Sequence, residues 1–184
     1  MTLHGYSARK AAQVTAFFAI KEGGSINVLK LAKLLYLSDR EHLSRYDFPI
    51  LFDTFVSMPH GPVTSLTLNY VKGFVEDAGW NEFITDLAGY CVGVAVEGLS
   101  LDDLDELSNA EADTLEDVWT RFGKMDRYAI RDWTHDNCDE WEDPHGSSTP
   151  IPYVRVLKFL KRRNPAATEE EIENMRSLNR IPKR

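Results

Sequence analysis

The first half of the chain shows the period of amphipathic helices. Apolar residues recur at spacings of three and four from about residue 8 to residue 22, and again from about residue 27 to residue 45. Ser7 is a suitable N-cap for the first helix, and Gly23-Gly24 supply its stop. Pro49 ends the second helix, because a proline disfavours α geometry in the residue before it. The pattern therefore predicts two long helices.

The period then changes to two. Residues 50–58 alternate between two faces as the side chains of a half-buried strand do. The turn Pro59-His60-Gly61-Pro62 follows, with two prolines that fix φ and a glycine that permits positive φ. We expect this turn to lead directly into a helix over residues 64–78. Residues 82–97 predict a β-hairpin, and since an isolated two-stranded ribbon is marginal in water, we expect it to pair with the 50–58 strand.

Helix signals return in the second half of the chain. Ser108-Asn109-Ala110-Glu111 has the spacing of a capping box and opens a helix that runs to about residue 122. A short helix over residues 125–133 and a loop over residues 134–150 follow, and Pro152 suits the first turn of another helix. Beyond residue 164 a single narrow apolar stripe predicts a helical tail that docks on the domain, docks on a partner or frays.

Together these elements predict an α+β fold: a single, mainly helical domain over residues 1–164 with a small antiparallel sheet, followed by a helical tail over residues 165–184. The 184 residues are 43% hydrophobic, which suffices for one packed core. No apolar run approaches the ~20 residues that span a bilayer, so we expect a cytoplasmic protein without membrane contact. Cys91 and Cys138 lie outside any CxxC motif and are expected to be free thiols.

Charge is distributed unevenly along the chain. The formal net charge is −8, and residues 76–117 hold thirteen acidic residues and no Lys or Arg. We call this stretch the acid block. It repels phosphate and attracts cationic partners within roughly 8 to 10 Å, so direct binding of nucleic acid is not expected. The alternative is that the acid block is a solvated surface that only keeps the protein soluble.

Two groups of residues have the composition of a reactive site. Asp39 and His42 share a helix face, and Asp53 and His60 flank the predicted strand, so they have the types of group that bind a divalent metal or share a proton. The enzymatic alternative is a metal-dependent hydrolase that uses Asp39, His42, His60 or His135. No HExxH motif is present, however, and an Asp with a His three residues further along a helix typically forms a local hydrogen bond. We therefore expect no metal.

The second group is Thr134-His135-Asp136-Asn137-Cys138, which holds a thiol, an imidazole and a carboxylate within five residues. Neighbours in a loop rarely adopt the geometry of a triad, so we expect His135 to hydrogen-bond the backbone in a loop held by Trp133 and Trp141. Neither GxGxxG nor GxxxxGK[ST] occurs. The sequence thus predicts no cofactor and no catalytic residue.

The second helix and the turn also carry a more specific pattern. They read Lys30-Leu31-Ala32-Lys33-Leu34-Leu35-Tyr36-Leu37-Ser38-Asp39-Arg40, then Pro49-Ile50, Asp53, Phe55-Val56-Ser57-Met58 and His60-Gly61-Pro62-Val63. In this order and separation they resemble the Panacea domain, also called the SocA-like antitoxin domain and formerly filed as a phage-associated protein family. The resemblance runs from about residue 7 to residue 160, and Thr134-His135 and Trp141 are similar to the family's later His-and-Trp segment.

The resemblance implies an antitoxin of a bacterial or phage toxin–antitoxin system, which neutralises a cognate protein toxin by binding it and is not an enzyme. The SocA member of the family implies a second mode, in which the protein is an adaptor that delivers the toxin to a AAA+ protease. Many toxins that attack RNA or ribosomes are basic, so the acid block favours a basic toxin as the partner. The sequence leaves open whether the toxin is sequestered or delivered.

Candidate residues follow from the same pattern. Binding energy typically comes from a few aromatic anchors with polar neighbours. The residues expected to bind the partner are Tyr36, Asp39, Arg40, His60, Trp133, His135 and Trp141. The residues expected to form the structural motif are Lys30, Lys33, Asp53, Met58, Gly61 and Pro62.

Overall fold

A computed structural model describes residues 5–178 of the chain. Both long helices are confirmed: α1 spans Ala8–Lys21 and α2 spans Val28–Tyr46. The Ser7 hydroxyl accepts a hydrogen bond from the Lys10 N–H, as an N-cap does, and the Asn27 side chain caps α2 in the same way. α2 ends at Tyr46, and the next residue, Asp47, adopts a left-handed conformation at φ 64°.

The strand predicted over residues 50–58 is shorter than expected. β2 spans Phe55–Met58 and is the central strand of an antiparallel sheet in the order β3-β2-β5, where β3 spans Gly61–Thr64 and β5 spans Thr149–Ile151. Residues 50–54 stay outside the sheet because a side-chain carboxylate of α2 holds the N–H groups of residues 50 and 51, and because residue 52 has φ 54°.

A second small sheet joins distant parts of the chain. β1 spans Ser25–Asn27 and pairs antiparallel with β4, which spans Cys91–Gly93. Bridges at Ile84–Val94 and Ala88–Cys91 close the segment predicted as a hairpin. The expectation that this hairpin pairs with the 50–58 strand is wrong, because both edges of β2 are already occupied by β3 and β5.

The expectation that the turn leads directly into a helix is also wrong. Residues 59 and 60 form the loop of a β-hairpin, in which Met58 lies opposite Gly61, and β3 separates this loop from the next helix. That helix, α3, spans Ser65–Val71 and is shorter than the predicted 64–78. Gly73, at φ 71°, follows it, and a separate short helix, α4, spans Ala78–Asn81.

The second half is mainly helical, as predicted. The capping box of Ser108 and Glu111 is present and opens α5, Asn109–Phe122. A 3-10 turn spans Leu101–Asp103, and α6 spans Arg127–Asn137, so residues 134–137, which we predicted as loop, are helical. α7 spans Tyr153–Phe159, and α8 spans Pro165–Leu178.

The core lies around α2, which contacts α1, α5, α6 and β3. The side chains of Leu31, Leu34 and Leu35 are at most 1% exposed. α8 docks on the rest of the chain rather than fraying, since Ile172 is fully buried and Arg176 donates a hydrogen bond to Thr54 Oγ1. Residues 179–184 of the predicted tail lie outside the described part. The α+β, mainly helical fold is confirmed.

Candidate functional site

The hairpin of β2 and β3 is fastened to α2 and to the segment that follows α6. Trp141 Nε1 donates a hydrogen bond to the Met58 carbonyl at 2.9 Å, and Lys33 Nζ donates one to the Pro62 carbonyl at 2.8 Å. We call residues 57–62 together with residues 133–142 the junction. Its contacts join α2, the hairpin and α6, so they fix the position of the turn that the family pattern contains.

Gly61 is required at this turn for two separate reasons. Its φ is +97°, a conformation that side chains with a Cβ rarely adopt. A Cβ on this residue would also lie 2.8 Å from Thr134 Oγ1 and 3.0 Å from Lys33 Nζ. The close approach of α6 and α2 to the turn therefore depends on a glycine.

Lys33 is a cation in the interior. Its side chain is fully buried, and desolvation lowers its pKa to about 7, with nearby Arg131 acting in the same direction. The hydrogen bond to Pro62 is its polar contact at the turn. The Lys33 side chain thus holds the turn through this hydrogen bond.

A buried carboxylate links α2 to the segment after α6. Tyr36 donates a hydrogen bond to Glu140 Oε1 at 2.5 Å, and Arg40 Nε donates to the same oxygen at 2.6 Å. Glu140 and Tyr36 are fully buried, and burial raises the pKa of the Tyr36 hydroxyl. Neither Tyr36 nor Glu140 is at the surface, and Arg40 is largely covered, so these residues support the junction from inside.

The fold brings His135 and Trp141, two of the predicted partner-binding residues, into direct contact. His135 stacks on Trp141, with the ring centroids 4.2 Å apart and the planes 12° from parallel. Burial, and next the Lys33 and Arg131 charges, lower the pKa of His135. The expectation that His135 bonds the backbone from a loop is wrong, because it lies in α6. Trp133 packs edge-on against Phe122.

Two of the predicted site residues, Asp39 and Asp53, bind backbone N–H groups inside the fold. Asp39 Oδ1 accepts hydrogen bonds from the Ile50 and Leu51 N–H groups at 2.8 and 3.0 Å, and burial raises the pKa of Asp39 to about 8. Asp53 accepts from the Leu66 and Thr67 N–H groups and so caps α3 from outside the helix. Both carboxylates are fully buried.

The groups proposed as metal ligands remain dispersed. His42 Nδ1 bonds the Phe48 carbonyl, while His60 is exposed on the hairpin loop. Across residues 5–178, no three His, Cys, Asp or Glu side chains form a cluster able to hold a metal ion. Lys30, from the predicted motif, bonds Glu22 and the Gly123 carbonyl and links α2 to the end of α5.

A groove of about 550 Å³ opens beside the junction. The start of α2, the hairpin, α3 and the start of α6 form its walls. Its lining residues are Asn27, Val28, Leu29, Ala32, Lys33, Met58, Pro59, His60, Val63, Leu68, Lys72, Tyr90, Arg127, Tyr128 and Arg131. We call this the groove. Three of these, Ala32, Val63 and Leu68, form a small apolar cluster separate from the main core, so the floor is hydrophobic.

Aromatic and cationic side chains surround this floor. Tyr90 is 81% exposed and Tyr128 is 50% exposed, which leaves much of both rings in solvent. The guanidinium groups of Arg127 and Arg131 lie over the Tyr128 ring, 4.9 and 5.2 Å from its centroid. Lys72 completes the rim. No Asp or Glu lines the groove among the residues that the structure describes, although Arg131 pairs with the adjacent Asp132.

The acid block is organised differently, because cations of α1 and α2 neutralise much of it. Arg9 forms ion pairs with Glu82, Asp105 and Glu106. The remaining pairs that tie the helices to it are Lys10–Glu111, Lys21–Glu116 and Arg45–Asp117. Other acids of the block cap local turns, as Asp77 and Asp103 do.

Sequence reasoning missed several residues of this site. Glu140 lacked a local signal, because its partners lie 100 residues or more away in the chain. Lys72 and Tyr90 also come from separate segments. Tyr128 and Arg131 did carry a signal, since residues three positions apart are neighbours on the surface of a helix.

The comparisons with known proteins identify a family for this chain. The family model described as "Antitoxin SocA-like, Panacea domain" matches residues 31–142, which is more than half of the chain and includes most of the groove. The chain belongs to this family of antitoxin-like domains. A search of curated proteins and a search of solved structures each found no match. Among the described residues, no helix is long and apolar enough to cross a membrane.

Proposed function

We propose that the protein is an antitoxin that neutralises a cognate protein toxin by binding it directly. The observation that carries this proposal is the groove, most of whose lining lies within the matched residues 31–142 and which combines an apolar floor with exposed aromatic side chains. Interfaces between proteins draw most of their binding energy from such aromatic and arginine side chains around an apolar centre. The function is therefore binding, without chemistry on the toxin.

In this proposal the predicted partner-binding residues either contact the toxin or support the surface that contacts it. His60 is exposed and lines the groove, so it contacts the toxin. Trp133, His135 and Trp141 are half-buried around the junction and hold the groove's wall in place. The buried or largely covered residues of α2, namely Tyr36, Asp39 and Arg40, act from beneath by fixing the junction and the chain after α2.

The net charge of the protein affects the approach of the toxin, whereas the groove affects the contact made after the approach. The formal net charge of −8 speeds the encounter with a basic partner and opposes nucleic acid. We therefore propose that the toxin is basic overall, that the protein acts in the cytoplasm and that it does not bind nucleic acid directly. These features concern the approach of the two proteins, whereas the groove determines the final contact.

The test is co-expression with the product of the neighbouring gene. We expect the wild-type protein to rescue growth and to co-purify with that product. Tyr128→Ala removes half-exposed groove surface and is expected to weaken the complex by roughly 10-fold or more, as hot-spot aromatics do. Phe159→Ala, a change of similar exposure in α7, is the matched control and is expected to bind as the wild type does. Absence of both complex and rescue would remove the antitoxin proposal.

The same cells separate sequestration from the adaptor alternative. Under sequestration, the amount of toxin is the same with and without the AAA+ protease, whereas delivery lowers it only when the protease is present. The hydrolase alternative predicts turnover by the isolated protein that is lost in a His60→Ala variant. No described cluster of metal ligands supports this last alternative.

A further inference from the structure

We propose that the groove binds an acidic segment of the cognate toxin, with apolar side chains on its floor and carboxylates on its cationic rim. This inference rests on the proposed function and names the chemistry of the toxin segment that fills the site. A basic overall charge of the toxin is compatible with it, because the inference concerns one short segment.

The first argument is the sign of the charge at the groove. Lys72, Arg127 and Arg131 lie on the rim of a protein whose formal net charge is −8. Within residues 5–178, no carboxylate forms an ion pair with Lys72 or Arg127. Elsewhere on the molecule, comparable cations of α1 and α2 do have carboxylate partners. Because Arg131 is paired with Asp132, the excess of positive charge on the rim comes from Lys72 and Arg127, and a carboxylate-bearing ligand complements it.

The second argument is the cation beneath the floor. Lys33 is fully buried and donates its hydrogen bond to an uncharged carbonyl, and no carboxylate within the described residues pairs with it. A buried cation is ordinarily paired or neutralised. Its charge, when present, adds to the positive potential of the groove from below, and nothing in the lining offsets it.

The third argument is the apolar part of the lining. Val63 and Leu68 belong to a small cluster outside the main core, and the Met58 side chain packs against it. A purely ionic ligand, such as a nucleic acid backbone, would leave this surface in water, whereas a peptide segment with alternating acidic and apolar residues covers both parts. The groove therefore favours a protein segment over a polyanion without apolar side chains.

The experiment compares two charge reversals of equal size in the full chain. Lys72→Glu/Arg127→Glu reverses the rim, and Lys158→Glu/Arg163→Glu reverses two exposed cations outside the groove. We expect the rim variant to bind the product of the neighbouring gene at least about 10-fold more weakly, and the control to bind as the wild type does, because like charges at an interface are strongly unfavourable. A Lys72→Arg/Arg127→Lys variant keeps the charges and is expected to retain binding.

The segment itself is identified with peptides of about fifteen residues tiled along the toxin. We expect the peptides that bind the wild-type protein, and lose binding to the rim variant, to contain Asp or Glu together with apolar residues. Circular dichroism and urea unfolding verify that each variant is folded.

The outcomes distinguish the two proposals. If the wild-type protein binds the toxin and the folded rim variant binds equally well, or if the bound peptides are rich in Lys and Arg, this inference is wrong while the antitoxin proposal stands. If a duplex oligonucleotide that does not bind the toxin displaces it from the groove, or if the chain forms a dimer that the rim variant loses, the assigned occupant is wrong. If the wild type neither binds nor protects, the antitoxin proposal itself fails.

Discussion

The acid block and the groove carry opposite charges, and the fold treats these charges differently. In the acid block, carboxylates meet cations from α1 and α2, so that Arg9 alone contacts three of them. In the groove, Lys72 and Arg127 stay without a carboxylate partner among residues 5–178, and Lys33 is buried beneath them. The acid block is contiguous in the sequence, and many of its carboxylates are paired with cations of the same molecule. The cations of the groove are dispersed along the sequence, and the fold brings them to one surface.

This difference separates structural charge from charge that is available to a partner. Exposed ion pairs contribute little to stability, typically 0–1 kcal/mol each, but they occupy the charge that a ligand would otherwise meet. Unpaired cations around an apolar floor contribute nothing to the fold through ion pairs. The groove is therefore the better candidate for short-range recognition, and the acid block acts through the long-range field.

The largest expected effect tests whether the buried carboxylate of the junction, Glu140, contributes more to stability than the exposed carboxylates of the acid block. Glu140→Ala leaves the buried Tyr36 hydroxyl and the largely buried Arg40 guanidinium without their acceptor. We expect the free energy of unfolding to fall by about 3 kcal/mol or more, as when one partner of a buried ion pair is removed. Urea unfolding measures this change.

The control lies in the acid block. Glu116→Ala removes the partner of Lys21 from a pair in which the glutamate is 48% exposed, so a loss below about 1 kcal/mol is expected. If the two substitutions lower the free energy of unfolding equally, the buried carboxylate of the junction is no more important for stability than an exposed one of the acid block.

The ion pairs show why only part of this site was predictable from sequence. Periodicity and local caps gave α1, α2 and α5 correctly, because Ser7, Asn27 and Ser108 act on N–H groups two or three residues away. The bond between Arg40 and Glu140 joins residues 100 positions apart, and no local pattern encodes it.

The prediction of strand pairing was wrong for the same reason: the pairing depends on residues that are distant in the chain. The pairing of β4 with β1 depends on which edges of β2 are free. One of these edges is occupied by β5, and residues 149 and 150 of this strand were predicted as loop. The groove likewise draws its rim from three separated segments, around residues 72, 90 and 127. The family pattern located the hairpin wall, but the opposite walls required the fold.

The next prediction compares two glycines, one in each region. Gly61→Ala places a Cβ 2.8 Å from Thr134 Oγ1 at a φ of +97°, whereas Gly98→Ala in the acid block has the same sign of φ, +79°, and open space around it. We expect a loss of about 2–4 kcal/mol for Gly61→Ala, from backbone strain plus overpacking, and of about 1 kcal/mol for Gly98→Ala, from backbone strain alone.

Thermal and urea unfolding of both variants measure the difference. If the two substitutions cost the same, the junction has room to relax, and the close approach of α6 to the turn does not constrain the groove's wall.

A smaller effect concerns the buried cation of the groove. The pKa of Lys33 is lowered by burial to about 7, so between pH 7 and its ordinary value of 10.5 the unfolded chain holds a proton that the folded chain has released. The destabilising cost of the buried charge is therefore present in full below pH 7 and is relieved as the pH rises. Relative to Lys33→Met, the wild type should gain about 2 kcal/mol of stability between pH 7.5 and pH 9.5.

The comparison uses urea unfolding of both proteins across this pH range. Other titrating groups, among them Cys138 with a pKa raised by burial to about 12, are present in both proteins and cancel in the difference. A difference that does not change with pH would mean that the cation is not desolvated beneath the groove.

The smallest expected effect concerns the ion pairs that hold the acid block to α1. Lys21 Nζ lies 2.6 Å from Glu116 Oε2 in a pair that is partly exposed, so Lys21→Gln should cost about 0.2–1 kcal/mol at low salt. The cost should largely vanish in 1 M NaCl, where the Debye length is about 3 Å. Lys158→Gln, an exposed lysine of α7 outside this region, should have no salt-dependent cost. If the cost of Lys21→Gln persists in 1 M NaCl, Lys21 stabilises the fold by packing on Phe17, whose ring centroid lies 5.7 Å from Nζ. In that case α1 neutralises less of the acid block than the comparison with the groove requires.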